Sequence, residues 1–172
     1  MDAPTRRVWA ERVVQALNEV FPYVEFQDWP QCERLIPHAI VAGRLVEDLG
    51  LDSEAAARLL NRSGYYLDGR ARYSEAEPLY QRALAINEKA LGIDHPSTAI
   101  SLNNLALLYD NQGRYGEAEP LFQRALAIRE NALGPDHPHT VLSVRNYAAF
   151  LRKRGRAAEA EKLEARFKAS GR

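Results

Sequence analysis

Histidines beside acidic residues are the first candidates for metal chemistry in this sequence. His95 and His137 each follow an aspartate and precede a proline, and His139 lies two residues beyond the second of them. A metal site needs three or four ligands that converge on one point, and only Asp136, His137 and His139 are close together in the chain. A histidine that caps the following helix explains the repeated position without a metal. We therefore predict helix caps and no metal site.

The single cysteine and the recurring glutamates are the candidates for catalysis. Cys32 lies six residues before His38, a spacing that does not bring two helical side chains together, so a nucleophile–base pair is not expected. The sequence Glu-Ala-Glu occurs at 75–77, 117–119 and 159–161, whereas a catalytic carboxylate pair would occur once. No phosphate-binding Gly-rich loop or Cys-x-x-Cys motif is present. The sequence predicts a buried thiol, no catalytic residues and no cofactor.

The segments that carry these residues repeat along the chain with one period. Pro78 lies in the sequence EAEPLYQRALAI, and Pro120 lies in EAEPLFQRALAI, 42 positions later. The same offset separates Gly50, Gly92 and Gly134, each of which follows a leucine. Several markers that recur at one period of this length indicate an array of helical repeats.

One period contains two amphipathic helices joined by a tight turn. Gly113 lies in that turn, where a left-handed backbone conformation is expected. Because neither helix can bury its apolar stripe alone, neighbouring helix pairs must stack. The stripes have helical spacing and consist of Leu102, Leu105, Ala106 and Tyr109 in the first helix, and Ala118, Leu121, Phe122, Ala125, Leu126 and Ile128 in the second.

The small and aromatic positions of this unit resemble those of the tetratricopeptide repeat. They are Ala106, Tyr109, Ala118, Phe122 and Ala125. The longer unit, with LNNLALLY, GRYxEAEPLxxRALAI and LGxDHPxT, resembles the kinesin light chain type of this repeat. The resemblance implies an all-α fold, a right-handed α-solenoid of antiparallel helix pairs. The segment FPYVEFQDWPQCERLIPHA resembles the one that precedes the repeats in bacterial signal-transduction ATPases with tetratricopeptide sensor domains.

The period divides the chain into four predicted helix pairs. They are a divergent N-terminal pair at 1–52, repeats at 53–94 and 95–136, and a last repeat with a C-terminal capping helix at 137–172. The first helix is predicted from Arg6 to Phe21, after a disordered start at residues 1–5. Its predicted apolar face consists of Trp9, Val13, Leu17 and Val20 or Phe21. Side-chain helix caps are expected at Ser53, at Asp28 with Gln31 as its partner, and at Ser74 with Glu77 as its partner.

Composition argues against several classes of partner. Lys and Arg total 23, and Asp and Glu total 23, so there is no excess positive charge to attract nucleic acid or a membrane surface. No apolar run is long enough to span a membrane. A single cysteine excludes an intrachain disulfide and fits a reducing compartment. We therefore expect a cytoplasmic protein that binds neither nucleic acid nor membrane.

The resemblance also implies where a ligand binds. In tetratricopeptide arrays the first helix of each pair lines the concave face, and asparagine and arginine there suit the backbone and carboxylates of an extended peptide. An acidic or C-terminal peptide segment is one expected ligand. The alternative is that the asparagines belong to the repeat pattern and bond to neighbouring helices. The predicted peptide-binding residues are Arg58, Asn61, Arg62, Tyr65, Asn103, Asn104, Leu107, Asn111, Arg145, Asn146 and Arg152.

Three functions are consistent with these features. The leading hypothesis is a non-catalytic protein–protein interaction module that binds an extended peptide in its concave groove. The second is a sensor or autoinhibitory domain of a larger signalling ATPase. The third is homotypic assembly, because an array with an imperfect cap can stack end to end. The sequence does not identify the partner.

Overall fold

The fold is all-α, as the sequence predicts. A computed structural model describes residues 3–22 and 25–170. In these ranges it contains eight α-helices, a single 3-10 helix at Phe26–Asp28 and no strand. The helices are α1 Ala3–Val20, α2 Trp29–Asp48, α3 Glu54–Gly69, α4 Tyr73–Ala90, α5 Pro96–Asn111, α6 Tyr115–Leu133, α7 Pro138–Lys153 and α8 Ala157–Ser170.

The chain forms two compact units, 1–92 and 93–172. In the first unit α3 packs along α4, and α1 contacts both α2 and α3. The core of this unit consists of apolar side chains that are almost fully buried, which is the main source of its stability. The largest of them are Phe21, Val46, Leu51, Leu59, Leu60, Leu67, Tyr80 and Ile86.

The second unit is built around a cluster of aromatic rings. Its helix α5 packs along α6, and α7 packs against both α6 and α8. The ring centroid of Phe122 lies 6.1 Å from that of Tyr147 and 5.3 Å from that of Phe150. Tyr115 makes an edge contact with Phe150 at 6.4 Å. These separations are those of favourable aromatic pairs, so the cluster joins α6 to α7.

Side-chain caps begin three helices where the sequence predicts them. The Ser53 hydroxyl accepts a hydrogen bond from the Ala56 N–H at 3.2 Å. The two equivalent histidines, His95 and His137, each accept a bond at Nδ1 from the N–H two residues later, at 3.1 and 3.2 Å. The capping interpretation of the repeated histidines is therefore confirmed.

A bidentate arginine–glutamate pair begins the second helix of each repeat. The guanidinium donates two hydrogen bonds of 2.7–2.9 Å to the carboxylate three residues later. Glutamate in the first turn also interacts favourably with the helix dipole. This pairing explains why the first glutamate of each Glu-Ala-Glu sequence recurs. The pairs are Arg72 with Glu75, Arg114 with Glu117, and Arg156 with Glu159.

One predicted cap, at Ser74 before the second helix of its repeat, is wrong. Ser74 was expected to cap α4 together with Glu77, but the helix begins one residue earlier, at Tyr73. Arg72 occupies the cap position and makes no side-chain cap bond. Because α4 begins at Tyr73, Ser74 lies inside the first turn and does not cap the helix.

Two predictions in the N-terminal segment are also wrong. The first helix begins at Ala3 and not at Arg6, so residues 3–5 are helical and not disordered, and residues 1 and 2 lie outside the described part. Asp28 does not cap α2, because its carboxylate accepts a hydrogen bond from the Glu25 N–H at 3.2 Å. Gln31, its expected partner, donates to the carbonyl of Val20 at 2.9 Å. A contact with the end of α1 thus replaces the reciprocal cap.

Candidate functional site

Of the predicted site residues on α3, Arg62 has a structural role. Its Nη1 donates to the carbonyls of Asn18 and Phe21, both at 3.2 Å. Carbonyls at the C-terminal end of a helix have no partner within the helix, so the guanidinium satisfies the end of α1. Both bonds link positions more than 40 residues apart in the chain, so local sequence patterns do not reveal them.

The other three predicted residues of α3 differ in exposure. Asn61 is buried, with 8% of its surface exposed. Arg58 is exposed and forms an ion pair with Glu54 one turn earlier, at 3.1 Å. Tyr65 is 51% exposed. In the first unit Tyr65 and Arg58 are therefore the predicted site residues that a ligand can reach most directly.

In the second unit, two equivalent sets of three side chains lie on the first helices of their repeats. Each set has the spacing i, i+3, i+7, which places its members on one helix face. Because α5 contacts α7, we call their combined surface the α5/α7 face. Its residues, all half-buried or exposed, are Asn104, Leu107 and Asn111 on α5, and Asn146, Ala149 and Lys153 on α7.

A hydrogen bond between asparagines connects the two helices of this face. Asn103 is only 5% exposed, and its Oδ1 accepts a bond from Nδ2 of Asn146 at 3.0 Å. Buried amides need such partners. Asn103 therefore orients Asn146, while Asn146 is half-buried and within reach of a ligand.

The basic residues at the end of α7 have acidic partners. Arg152 donates two hydrogen bonds of 2.8 Å to Glu164 on α8. Lys153 donates to Oδ2 of Asp110 at 2.8 Å. The Asp110 side chain is only 4% exposed, and its other oxygen lies 3.7 Å from Arg154. These ion pairs reduce the net positive charge at the C-terminal end of α7.

Arg145 takes no part in these ion pairs, although Glu164 lines the same cavity. Its side chain is exposed, and it lines an open cavity of about 440 Å³. The remaining lining residues come from the turn after α6, from α7 and from α8, and they are Pro135, Asp136, Val141, Val144, Glu164 and Phe167. The structure thus places Arg145 against α8 and not with the residues of α5.

A buried arginine is a feature that the sequence analysis missed. Arg129 on α6 is 3% exposed, and burial lowers the pKa of its guanidinium. It donates to the carbonyl of His139 at 3.0 Å and to the Ser143 hydroxyl at 2.7 Å. The preceding repeat has Asn87 at the position equivalent to Arg129. This change of residue type is the one sign of the buried arginine in the sequence.

A second missed feature is the hydrogen-bond network around Glu119. Its two carboxylate oxygens each accept a bond from Arg156 at 2.8 Å. Oε1 also accepts from the Tyr147 hydroxyl at 3.0 Å, and Gln123 donates to that hydroxyl at 2.9 Å. The hydrogen bond from Arg156, helped by that from Tyr147, lowers the pKa of Glu119. The network joins α6, α7 and the start of α8.

This network predicts a stability difference that depends on pH. A carboxyl group whose pKa is depressed in the folded state stabilises the fold above its unfolded pKa, about 4.3 for glutamate. That contribution is lost as the pH falls through the folded pKa. We expect Glu119→Gln to be less stable than wild type at neutral pH, and the two proteins to converge in acid. Thermal unfolding followed by circular dichroism from neutral to acidic pH measures the difference.

The matched control for this prediction is Glu117→Gln. Glu117 is also bonded to an arginine, Arg114, but its side chain is 58% exposed, so solvent weakens the pair. We expect a smaller loss of stability than for Glu119→Gln. A gap between Glu119→Gln and wild type that stays constant down to strongly acidic pH would contradict the assignment.

The described residues offer neither a metal cluster nor a membrane-spanning helix. In this part of the chain no group of three or more His, Cys, Asp or Glu side chains is placed to hold a metal ion. Within residues 3–22 and 25–170, no helix is both long and apolar enough to cross a membrane. The predicted thiol is confirmed as buried, since Cys32 has no exposed surface.

Comparison with known families identifies the class of protein. The sequence model of the tetratricopeptide repeat family matches residues 54–131 and 111–166, which together are more than half of the chain. The chain therefore belongs to the tetratricopeptide repeat family. No curated protein sequence matches the chain.

Solved structures share the fold at low sequence identity. BtubC (BKLC) from P. vanneervenii is 23% identical with a TM-score of 0.72, and the match covers 84% of this chain but only 58% of that one. A point variant of a putative kinesin light chain with nearly identical repeats, from Podosopora anserina, is 20% identical with a TM-score of 0.71 over 98% of this chain and 76% of that one. A second structure of that repeat protein is 22% identical, with a TM-score of 0.63 over 83% and 72%.

Proposed function

We propose that this chain binds an extended peptide on the α5/α7 face. Tetratricopeptide repeats are protein–protein interaction modules, and the family match makes this general role the starting point. The observation that supports a peptide ligand is the equivalent arrangement of side chains on α5 and α7. Proteins of this repeat type are generally non-catalytic scaffolds, and we assign no reaction to this chain.

The chemistry of the α5/α7 face suits a peptide backbone. An asparagine amide both donates and accepts hydrogen bonds, so it can pair with the N–H and C=O groups of an extended chain. Asn146 uses one N–H on Asn103, which fixes its orientation and directs its Oδ1 and second N–H to a ligand. Leu107 and Ala149 supply an apolar centre between the polar ends of the face, where a peptide side chain can pack.

Charge has a secondary role in this proposal. Lys153 and Arg152 are already paired with Asp110 and Glu164, so an acidic peptide would have to compete with these carboxylates. Arg145 has no ion pair in the described part of the chain and is exposed. We therefore propose that a peptide that extends from the α5/α7 face past α7 toward α8 places an acidic side chain or its C-terminal carboxylate on Arg145. Backbone hydrogen bonds provide most of the recognition.

Selection from a random-peptide display library on the full chain tests the proposal. Affinities of the selected peptides are then measured by fluorescence anisotropy for wild type and for Leu107→Glu, which places a charge at the centre of the face. We expect a loss of about ten-fold or more, as for a central interface residue. Asn146→Ala removes one or two hydrogen bonds and should weaken binding by about three- to ten-fold.

The control for this experiment is Ile93→Glu. Ile93 is 59% exposed and lies in the turn before α5, so the same charge is introduced away from the α5/α7 face. Circular dichroism checks that all variants remain helical. Selected peptides that bind Leu107→Glu and Ile93→Glu as tightly as wild type would refute the site.

We also propose that this protein is located in a reducing compartment such as the cytoplasm. Cys32 is buried, and burial raises the pKa of its thiol, which keeps it protonated and unreactive. A protonated thiol of this kind fits a reducing compartment. Fractionation of the native cells is the direct test. The role of a sensor in a larger signalling ATPase is suggested by the resemblance at residues 21–39 alone.

A further inference from the structure

Helix α1 has two apolar stripes, and only one of them is buried. The inner stripe, Ala10, Val14 and Leu17, is 2–9% exposed. On the outer stripe, Trp9 is 53%, Val13 is 40% and Val20 is 50% exposed. Ala16 completes this outer stripe and is also exposed. A contiguous exposed apolar surface of this kind is characteristic of an interaction site.

The spacing of the outer stripe is that of a helix–helix seam. Trp9, Val13, Ala16 and Val20 follow one another at intervals of four, three and four residues, which is the heptad pattern of paired helices. One apolar stripe is enough for a helix to pack on the core of its own chain. The outer stripe therefore fits another helix, and we call it the α1 seam.

The charges beside the α1 seam identify the helix that fits. Arg12 and Glu19 lie one heptad apart along the same edge of the seam, and both are exposed. The guanidinium of Arg12 lies 5.3 Å from the centre of the Trp9 ring, so it is held at the seam. Two copies of α1 that pack antiparallel place Arg12 of each near Glu19 of the other. A parallel pair in register does not bring these opposite charges together.

The apolar residues agree with the same arrangement. In an antiparallel pair, Trp9 opposes Val20 of the second copy, and Val13 opposes its Ala16. Large side chains therefore meet at both ends of the α1 seam, and a larger side chain meets a smaller one on each side of the centre of the seam. Alternation of large and small side chains lets them interdigitate in a well-packed interface. A two-fold axis between the helices makes the surface complementary to itself.

We propose that α1 is a dimerisation helix whose partner is α1 of a second copy of this chain, packed antiparallel. This surface differs from the end-to-end stacking of repeat arrays, because the same patch is used by both copies. The proposal does not depend on peptide binding at the α5/α7 face. A helix of 18 residues is about 27 Å long, and a single helix pair buries less area than a standard interface, so we expect a dissociation constant of about 1–100 µM.

Sedimentation equilibrium of the full chain over a series of concentrations tests the proposal. Wild type should change from monomer to dimer and stop there. Val13→Asp puts a charge at the centre of the α1 seam and should remain monomeric over the same concentrations. Val41→Asp is the matched control, because Val41 is 55% exposed but lies on α2, and it should dimerise as wild type does.

A charge exchange tests the antiparallel geometry. Arg12→Glu and Glu19→Arg each place like charges opposite one another and should weaken self-association by about three-fold or more. A mixture of these two variants restores both ion pairs, so a mixed dimer should form in preference to either homodimer. The double variant should dimerise as wild type does.

Each alternative result would overturn the proposal. If the chain stays monomeric at all concentrations, the α1 seam does not bind a second copy of the chain. Oligomers that continue to grow beyond the dimer indicate head-to-tail stacking. Single charge variants that dimerise like wild type, with no preference for the mixed pair, exclude the antiparallel arrangement.

Discussion

Phe122→Ala is expected to lower the free energy of unfolding by about 3–5 kcal/mol, the range for removing a buried aromatic side chain. Phe122 is 1% exposed, and its ring contacts those of Tyr147 and Phe150. The substitution removes these ring contacts and leaves a cavity where α6 packs against α7. Because single domains are stable by only about 5–15 kcal/mol, this loss is a large part of the total.

Urea denaturation followed by circular dichroism measures the change. Phe122→Leu keeps most of the apolar volume and should lose clearly less than Phe122→Ala. The matched surface control is Tyr65→Ala, because Tyr65 is also aromatic but 51% exposed, and its loss should stay within about 0.5 kcal/mol. Equal losses for Phe122→Ala and Tyr65→Ala would show that the aromatic cluster is not the core of the second unit.

The repeat period explains why most of the fold could be predicted from sequence. Three copies of one helix pair supply independent signals for the same boundary, and caps such as Ser53 and His95 are local chemistry that the sequence displays directly. Two of the wrong predictions concern the caps at Asp28 and Ser74. There a contact with another segment or with a neighbouring arginine replaced the expected cap. Local patterns cannot rank such competing partners.

The candidate site was harder to predict for a similar reason. The resemblance assigns whole positions of a repeat to the ligand, but the role of each side chain depends on partners that are distant in sequence. Arg62 satisfies the end of α1, Arg152 is paired with Glu164, and Asn103 orients Asn146. Asn104, Leu107 and Asn146 stay predictions, because the binding experiment above is what tests them.

The outer stripe of α1 was visible in the sequence only in part. The predicted helix placed Trp9, Val13, Leu17 and Val20 or Phe21 on one apolar face. Of these residues the structure buries Leu17 and Phe21, and the core also uses Ala10 and Val14, whereas Trp9, Val13 and Val20 are exposed. Two apolar stripes overlap in one helix, and periodicity alone does not decide which of them is buried. Exposure, which the sequence does not give, separates the core from the α1 seam.

Because the repeats are equivalent, the same helix–helix contact can be compared between two repeats of this chain. Gly64 in α3 packs against Tyr80 in α4, and a Cβ added at Gly64 would lie 2.9 Å from two atoms of the Tyr80 ring. The next repeat has alanine at the equivalent position and the smaller phenylalanine in place of the tyrosine. The absent Cβ therefore permits a close approach of the Tyr80 ring to α3.

Gly64→Ala is expected to destabilise the protein even though alanine favours helices. The propensity gain is at most about 1 kcal/mol, whereas overpacking a buried contact costs about 1–3 kcal/mol. Tyr80 has no exposed surface, so its ring cannot move aside without disturbing the core. We expect a net loss of about 1–2 kcal/mol in urea denaturation, from the difference between these two terms.

Gly69→Ala separates the two terms within the same helix. Gly69 is exposed, and a Cβ there meets nothing within 4 Å, so only the change in backbone propensity acts. That substitution should stabilise the protein by up to about 1 kcal/mol. Opposite signs at two glycines of α3 would assign the loss at Gly64 to its contact with Tyr80. A gain at both positions would mean that α3 and α4 can separate at little cost, and that the close approach at Gly64 is not required for stability.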